Sequence, residues 1–139
     1  MDILSSDIAD AMSGHEVVIN NAFVVLWYFK MPEAIRDDIN FNGTRNVANA
    51  AVKNRVRRFI HASSMAAYDP DLARGKNNLS EEFPIGKGIS PSYYWNSKAN
   101  ADTILKEILD SSGITLTLLR PTYVVGPLNN KVTVMAYRE

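Results

Sequence analysis

Tyr94 and Lys98 are the residues whose types and spacing most plainly allow proton chemistry, four apart in Ser90-Pro91-Ser92-Tyr93-Tyr94-Trp95-Asn96-Ser97-Lys98. On a helix that spacing puts both side chains on one face, one turn apart. An ammonium held beside a phenol favours the phenolate. Two unit charges about 4 Å apart, in an effective dielectric of about 20, interact by roughly 4 kcal/mol. At about 1.4 kcal/mol per pKa unit, a phenol so placed moves from about 10 towards about 7. Such a group exchanges protons with an alcohol or a carbonyl at working pH. Alone, the pair equally suits a solvated helix face. Ala62-Ser63-Ser64 lies upstream and is read together with this pair.

The elements that must position these groups follow from the apolar pattern. Residues 5–13 form a short amphipathic stretch stopped by Gly14. Residues 16–23 hold Val17, Val18 and Ile19 in succession, which suits a strand covered on both faces. Residues 24–31 are apolar and aromatic, as a core or a pocket lining would be. Pro32 and Glu33 open a helix that runs to about Lys53, with Ile35, Ile39, Val47, Ala50 and Ala51 as its stripe. Gly43 inside it suggests close packing against a neighbouring backbone. Residues 57–64 read as a second strand and residues 69–90 as a long polar loop. Ser90 and Pro91 then form a capped entrance to a helix over about 92–112, with Ala101, Ile104, Leu105, Ile108 and Leu109 buried and Gly113 at its end. Residues 114–119 are the third strand.

Strands alternating with helices of this length require right-handed crossovers and a parallel sheet. Ligands of such sheets sit beyond the carboxyl ends of the strands. Asn20-Asn21-Ala22, Ser63-Ser64 and Pro121-Thr122 all fall there. The chain has 139 residues, enough for one domain with a core. A formal net charge of zero gives no pointer to nucleic acid or an anionic membrane. The longest apolar run, residues 22–29, is too short to span a bilayer, and the acidic start lacks the basic region of a signal peptide. A cytoplasmic setting is the default. Cysteine is absent, so disulfides and thiolate metal ligands are excluded. His15 and His61 are too isolated for a metal site and read as structural.

The order Asn20-Asn21-Ala22, Asn40-Phe41-Asn42-Gly43-Thr44-Arg45-Asn46, Arg58-Phe59-Ile60-His61-Ala62-Ser63-Ser64 with Tyr68, Tyr94-x-x-x-Lys98, and Leu119-Arg120-Pro121 with Gly126-Pro127 resembles an extended short-chain dehydrogenase/reductase, in its NAD-dependent epimerase/dehydratase branch. The resemblance covers nearly the whole chain. It implies a Rossmann-like doubly wound parallel sheet in three αβα layers, with residues 1–139 forming part of one NAD(P)-binding domain. It implies hydride transfer with a nicotinamide cofactor, NAD favoured over NADP, on a small alcohol or carbonyl substrate such as a nucleotide sugar. Tyr94 would be the general acid/base and Lys98 would lower its pKa and bind the ribose hydroxyls. Ser64 would orient the substrate oxygen, and Asn40 would support Lys98 through water. Asn21, Ala22, Ala62, Ser63, Pro121 and Thr122 would line the cofactor. Asp102 would orient local backbone. Helices 33–53 and 92–112 would pack a homodimer.

Two departures from the family pattern stand out. No G-x-G-x-x-G occurs in the sequence, so the glycine-rich βαβ unit that holds the pyrophosphate is expected before Met1. Only residues 128–139 follow the Gly126-Pro127 turn, where the family places its substrate domain. The chain reads as the catalytic middle of a larger enzyme. The alternatives are a truncated or non-catalytic relative acting as a cofactor sensor or interaction protein, and a remnant stable only when paired with another chain.

Overall fold

The computed structural model describes residues 2–24, 31–87, 92–122 and 124. In chain order its elements are α1 (Ile8–Ala11), β1 (Val17–Asn20), α2 (Glu33–Asp37), a π-helical turn (Asp38–Gly43), α3 (Thr44–Lys53), β2 (Arg58–Ala62), a 3-10 turn (Met65–Ala67), α4 (Pro70–Ala73), α5 (Tyr93–Leu109) and β3 (Thr115–Leu119). The strands form a parallel sheet in the order β1-β2-β3. Val17 pairs with Arg58 and Arg58 with Thr115, and the last pair of the second ladder is Ala62 with Leu119. Parallel pairing needs long crossovers. The α2–α3 run supplies the first and α5 the second.

Side chains alternate across a strand, so each one divides its residues between two faces. Phe59 and His61 of β2 are fully buried, whereas Arg58 is exposed. The buried face meets α3 and α5, which lie against each other. Val47, Ala48 and Ala51 of α3, Leu105 and Leu109 of α5, and Ile8 and Met12 at the N-terminus join Phe59 in one core. The other face is open. Val17 is 47% exposed, Ile19 70% and Leu119 52%. The expectation of a first strand covered on both faces therefore fails. Among the described residues, β1 is an edge strand and the helices lie on one side of the sheet only. This is the parallel α/β fold expected, with one helical layer and the sheet in view.

The helix expected over 33–53 is interrupted by the π-helical turn. Ile35, expected in its stripe, is 49% exposed, while Val47, Ala50 and Ala51 are buried. Gly43 does mark close packing, but against a side chain rather than a backbone. A Cβ there would collide with Ile3. In α5, Ala101, Leu105 and Leu109 are buried as expected, and Gly113 turns the chain at φ 77°. The helix starts at Tyr93 with Ser92 at the N-cap position; the expected Ser90-Pro91 entrance and Gly126-Pro127 lie outside the described residues. The polar loop carries α4, capped by Asp69, whose Oδ1 accepts from the N–H groups of Asp71 and Leu72. Among the described residues, no helix is long and apolar enough to cross a membrane.

Candidate functional site

Lys98 anchors the site. Its position on α5 points it at the carboxyl end of β2, where Nζ donates to the Ala62 carbonyl at 2.9 Å. The residue is only 5% exposed. A lysine on a solvated face would reach water, and Lys98 does not. Burial also lowers the Lys98 pKa to about 8, against an opposing pull from the Asp102 carboxylate. The ammonium also stands 3.6 Å from the centroid of the Phe23 ring. The same ring packs edge-on against Tyr94, with centroids 6.4 Å apart and planes at 89°. Phe23 thus touches both members of the pair.

The loop after β1 holds Phe23 there. The Ala22 N–H donates to Asn20 Oδ1 at 3.2 Å. On the other side Val24 is clamped twice by Asn40: its N–H donates to Asn40 Oδ1 at 2.8 Å and its carbonyl accepts from Asn40 Nδ2 at 3.0 Å. Asn40 is fully buried. Its amide also donates to the Tyr93 hydroxyl at 3.3 Å, and that hydroxyl donates to Asp37 Oδ1 at 2.8 Å. Burial raises the Tyr93 pKa, and the Asp37 hydrogen bond raises it further. Asn40 was expected to support Lys98 through water; here its direct bonds fix the backbone beside Phe23.

Ser64 caps the 3-10 turn after β2, where its Oγ accepts from the Ala66 N–H at 3.2 Å. A hydroxyl accepting one bond keeps its own proton to donate. The Met65 N–H donates to the Pro121 carbonyl at 3.1 Å, tying this turn to the end of β3. Ala62, Ser64, Lys98 and Pro121 are therefore joined around two neighbouring strand ends, with Phe23 and Tyr94 alongside. Asn21 and Thr122 are exposed. Thr122 lines a different feature, an open groove of ≈ 970 Å³ along β3 with Leu79, Leu109, Leu116, Leu118 and Arg120. Ser64, Tyr94 and Lys98 do not line that groove.

Beneath Lys98 lies a buried polar layer. Asp102 was expected to orient local backbone. Instead its Oδ2 accepts from Arg120 Nε at 3.0 Å in an ion pair whose side chains are 0% and 9% exposed. Burial raises the Asp102 pKa, opposed by Ser63, Arg120 and Lys98. Ser63 Oγ lies near enough to favour the anion but forms no hydrogen bond of good geometry. His61 is fully buried, as its structural reading required. Reasoning from sequence missed Phe23, Tyr93 and Arg120. The signal for Phe23 was a large ring directly after Asn-Asn-Ala, where a cofactor-lining segment needs small residues.

A parallel α/β sheet with polar groups gathered beyond the carboxyl ends of its strands is the arrangement at which open α/β sheets bind ligands. The family model described as "NAD dependent epimerase/dehydratase family" matches residues 1–137, and the chain belongs to that family. It is 34% identical over 100 residues to N-acetyl-alpha-D-glucosaminyl-diphospho-ditrans,octacis-undecaprenol 4-epimerase of Escherichia coli O157:H7, covering 70% of this chain and 28% of that protein. It is 29% identical over 125 residues to 3 beta-hydroxysteroid dehydrogenase type 7 of Mus musculus, covering 86% and 34%. The chain spans about a third of the length of these curated relatives. Among solved structures, UDP-glucuronic acid 4-epimerase from Bacillus cereus, in complex with NAD, superposes with a TM-score of 0.71 at 22% identity. That match covers 91% of this chain and 39% of the other, and it shows the shared fold.

Proposed function

We propose that the chain carries the catalytic part of an NAD-dependent oxidoreductase of the epimerase or dehydratase type, acting on a nucleotide sugar or a similar alcohol or carbonyl substrate. The observation that carries this reading is the burial of Lys98 at a strand end, one turn from Tyr94. The nicotinamide half of NAD suits these residues. One of three ammonium donors is engaged by Ala62, which leaves two for ribose hydroxyls. Ala22, Ala62, Ser63 and Pro121 offer small or backbone surfaces around it, with exposed Asn21 at the rim. When bound, the cofactor supplies hydride acceptance and return. The protein supplies the proton. Tyr94 takes it from the substrate hydroxyl with Lys98 one helical turn away, and Ser64 donates to the same substrate oxygen. Asn40 acts through the loop it clamps.

The description of the family and the NAD bound to its structural neighbour favour NAD over NADP. Exposed Ile35 and Val52 on the 33–53 segment support a homodimer through helices 33–53 and 92–112. A cofactor-sensing protein without turnover is the second reading, favoured by the Phe23 ring over the Lys98 ammonium. Turnover separates the two. With a 3β-hydroxysteroid as probe read by nicotinamide absorbance, or UDP-glucose as probe read by the epimeric sugar formed, Tyr94→Phe lowers the rate by about 10²–10⁴-fold while NADH still binds. Equal turnover by Tyr94→Phe contradicts the assignment.

A further inference from the structure

Lys98 faces a difficulty that the proposed site does not resolve. A residue 5% exposed offers little open surface to a ligand hydroxyl. Its ammonium is covered from two directions, by the Ala62 carbonyl at 2.9 Å and by the face of Phe23 at 3.6 Å. Ala62 is part of a central strand paired on both sides, so it stays. Phe23 lies on a loop and is only half-buried. Its backbone is nonetheless pinned at both neighbours, through Ala22 to Asn20 and through Val24 to Asn40. The part free to move is the phenyl ring, by rotation about its side-chain torsions.

We propose that Phe23 is a swinging plug on Lys98: its ring covers the ammonium in the free protein, and it must turn aside before a hydroxyl-bearing ligand can bind there. The inference rests on the reading of Lys98 as the ligand-binding ammonium and adds the residue that controls access to it. The two occupants compete for the same cation, one through its π-face and the other through hydroxyl oxygens. A plug that holds the site closed reduces apparent affinity by the fraction of molecules that are open. A desolvated cation–π contact corresponds to a bias of about tenfold or somewhat more. Phe23 also packs edge-on against Tyr94, so turning the ring breaks that contact in the same movement.

The test uses the purified chain, NADH as the probe, and two readouts. NADH fluorescence gives affinity. The Lys98 Hε signals, observed by NMR, report the ring, because a phenyl face over them shifts them upfield. In the free wild-type protein these signals are shifted, and in Phe23→Ala they are not. Phe23→Ala binds NADH about tenfold more tightly than wild type. Phe23→Leu keeps apolar bulk without a π-face, falls between the two, and serves if the alanine variant does not fold. In the wild-type complex the upfield shift is lost. Equal affinities with the shift retained in the complex overturn the plug and leave the cofactor reading standing. Binding by neither wild type nor variants overturns the cofactor reading and this inference with it.

Discussion

His61 and Lys98 are both stripped of water, and both respond by favouring the neutral form. Burial, reinforced by the nearby Lys98 charge, lowers the His61 pKa to about 4 from an ordinary 6.5. An unfolded chain therefore binds a proton at this residue between pH 6.5 and about 4 that the folded chain does not. Stability rises with pH across that window and is lost as pH falls through it. The expected loss reaches about 3 kcal/mol at its limit, and His61→Gln should flatten it in urea midpoints measured from pH 7 down to pH 4. Lys98, lowered to about 8 from 10.5, acts in the same sense at higher pH, adding stability between those values. The Asp102–Arg120 pair behaves differently. Its desolvation has already been met by mutual attraction, so removal of one partner strands the other charge. Arg120→Leu should cost about 3–5 kcal/mol, and adding Asp102→Leu should recover most of it. Equal losses in the single and double variants would show that the charges are not coupled.

Among the elements, the π-helical turn between α2 and α3 stands out because it carries Asn40 and Gly43. Single π turns commonly occur where a side chain must be aimed. Here the aim is outward to Val24 and Tyr93, with the Asn40 carbonyl accepting from Thr44 Oγ1 at 2.6 Å. Asn40→Ala should cost about 2–4 kcal/mol, because it leaves the Val24 N–H and carbonyl without their partner. Tyr93→Phe removes one hydroxyl and should cost about 1 kcal/mol. Chemical denaturation measures both. The elements themselves were largely legible. The period of α5 gave its buried stripe, the β-branched and apolar runs gave three strands, and Gly14 and Gly113 marked helix ends through the positive φ both adopt. The π turn was not legible, since apolar spacing continues through it. The open face of β1 was not legible either, because a run such as Val17-Val18-Ile19 states what could be buried and not what is present to bury it. At the candidate site, the Tyr94–Lys98 pair was proposed from type and spacing, and Ser64 from the family resemblance. Phe23, Tyr93 and Arg120 escaped because their roles come from contacts between residues far apart in sequence.

At the scale of the whole molecule, the sheet face bearing Val17, Ile19 and Leu119 and two edge strands are uncovered among the described residues. Exposed apolar faces and free edges drive association between copies. The purified chain should show a mass that rises with concentration in sedimentation or light scattering. Ile19→Lys should suppress association beyond the helix-packed dimer without lowering the melting temperature, since Ile19 is 70% exposed. A monomer at all concentrations would contradict this. The candidate site is held at the strand ends by α5 and the clamped loop, through Lys98 on Ala62 and Asn40 on Val24. Its central claim is that the Lys98 ammonium holds a nicotinamide cofactor. Titration of wild type and Lys98→Met with NADH tests this most directly. The Lys98 site predicts saturable binding by wild type and a loss of about tenfold or more in Lys98→Met, because a hydrogen bond to a charged group is removed. Equal affinity in the two proteins, or no binding up to millimolar NADH, would contradict it.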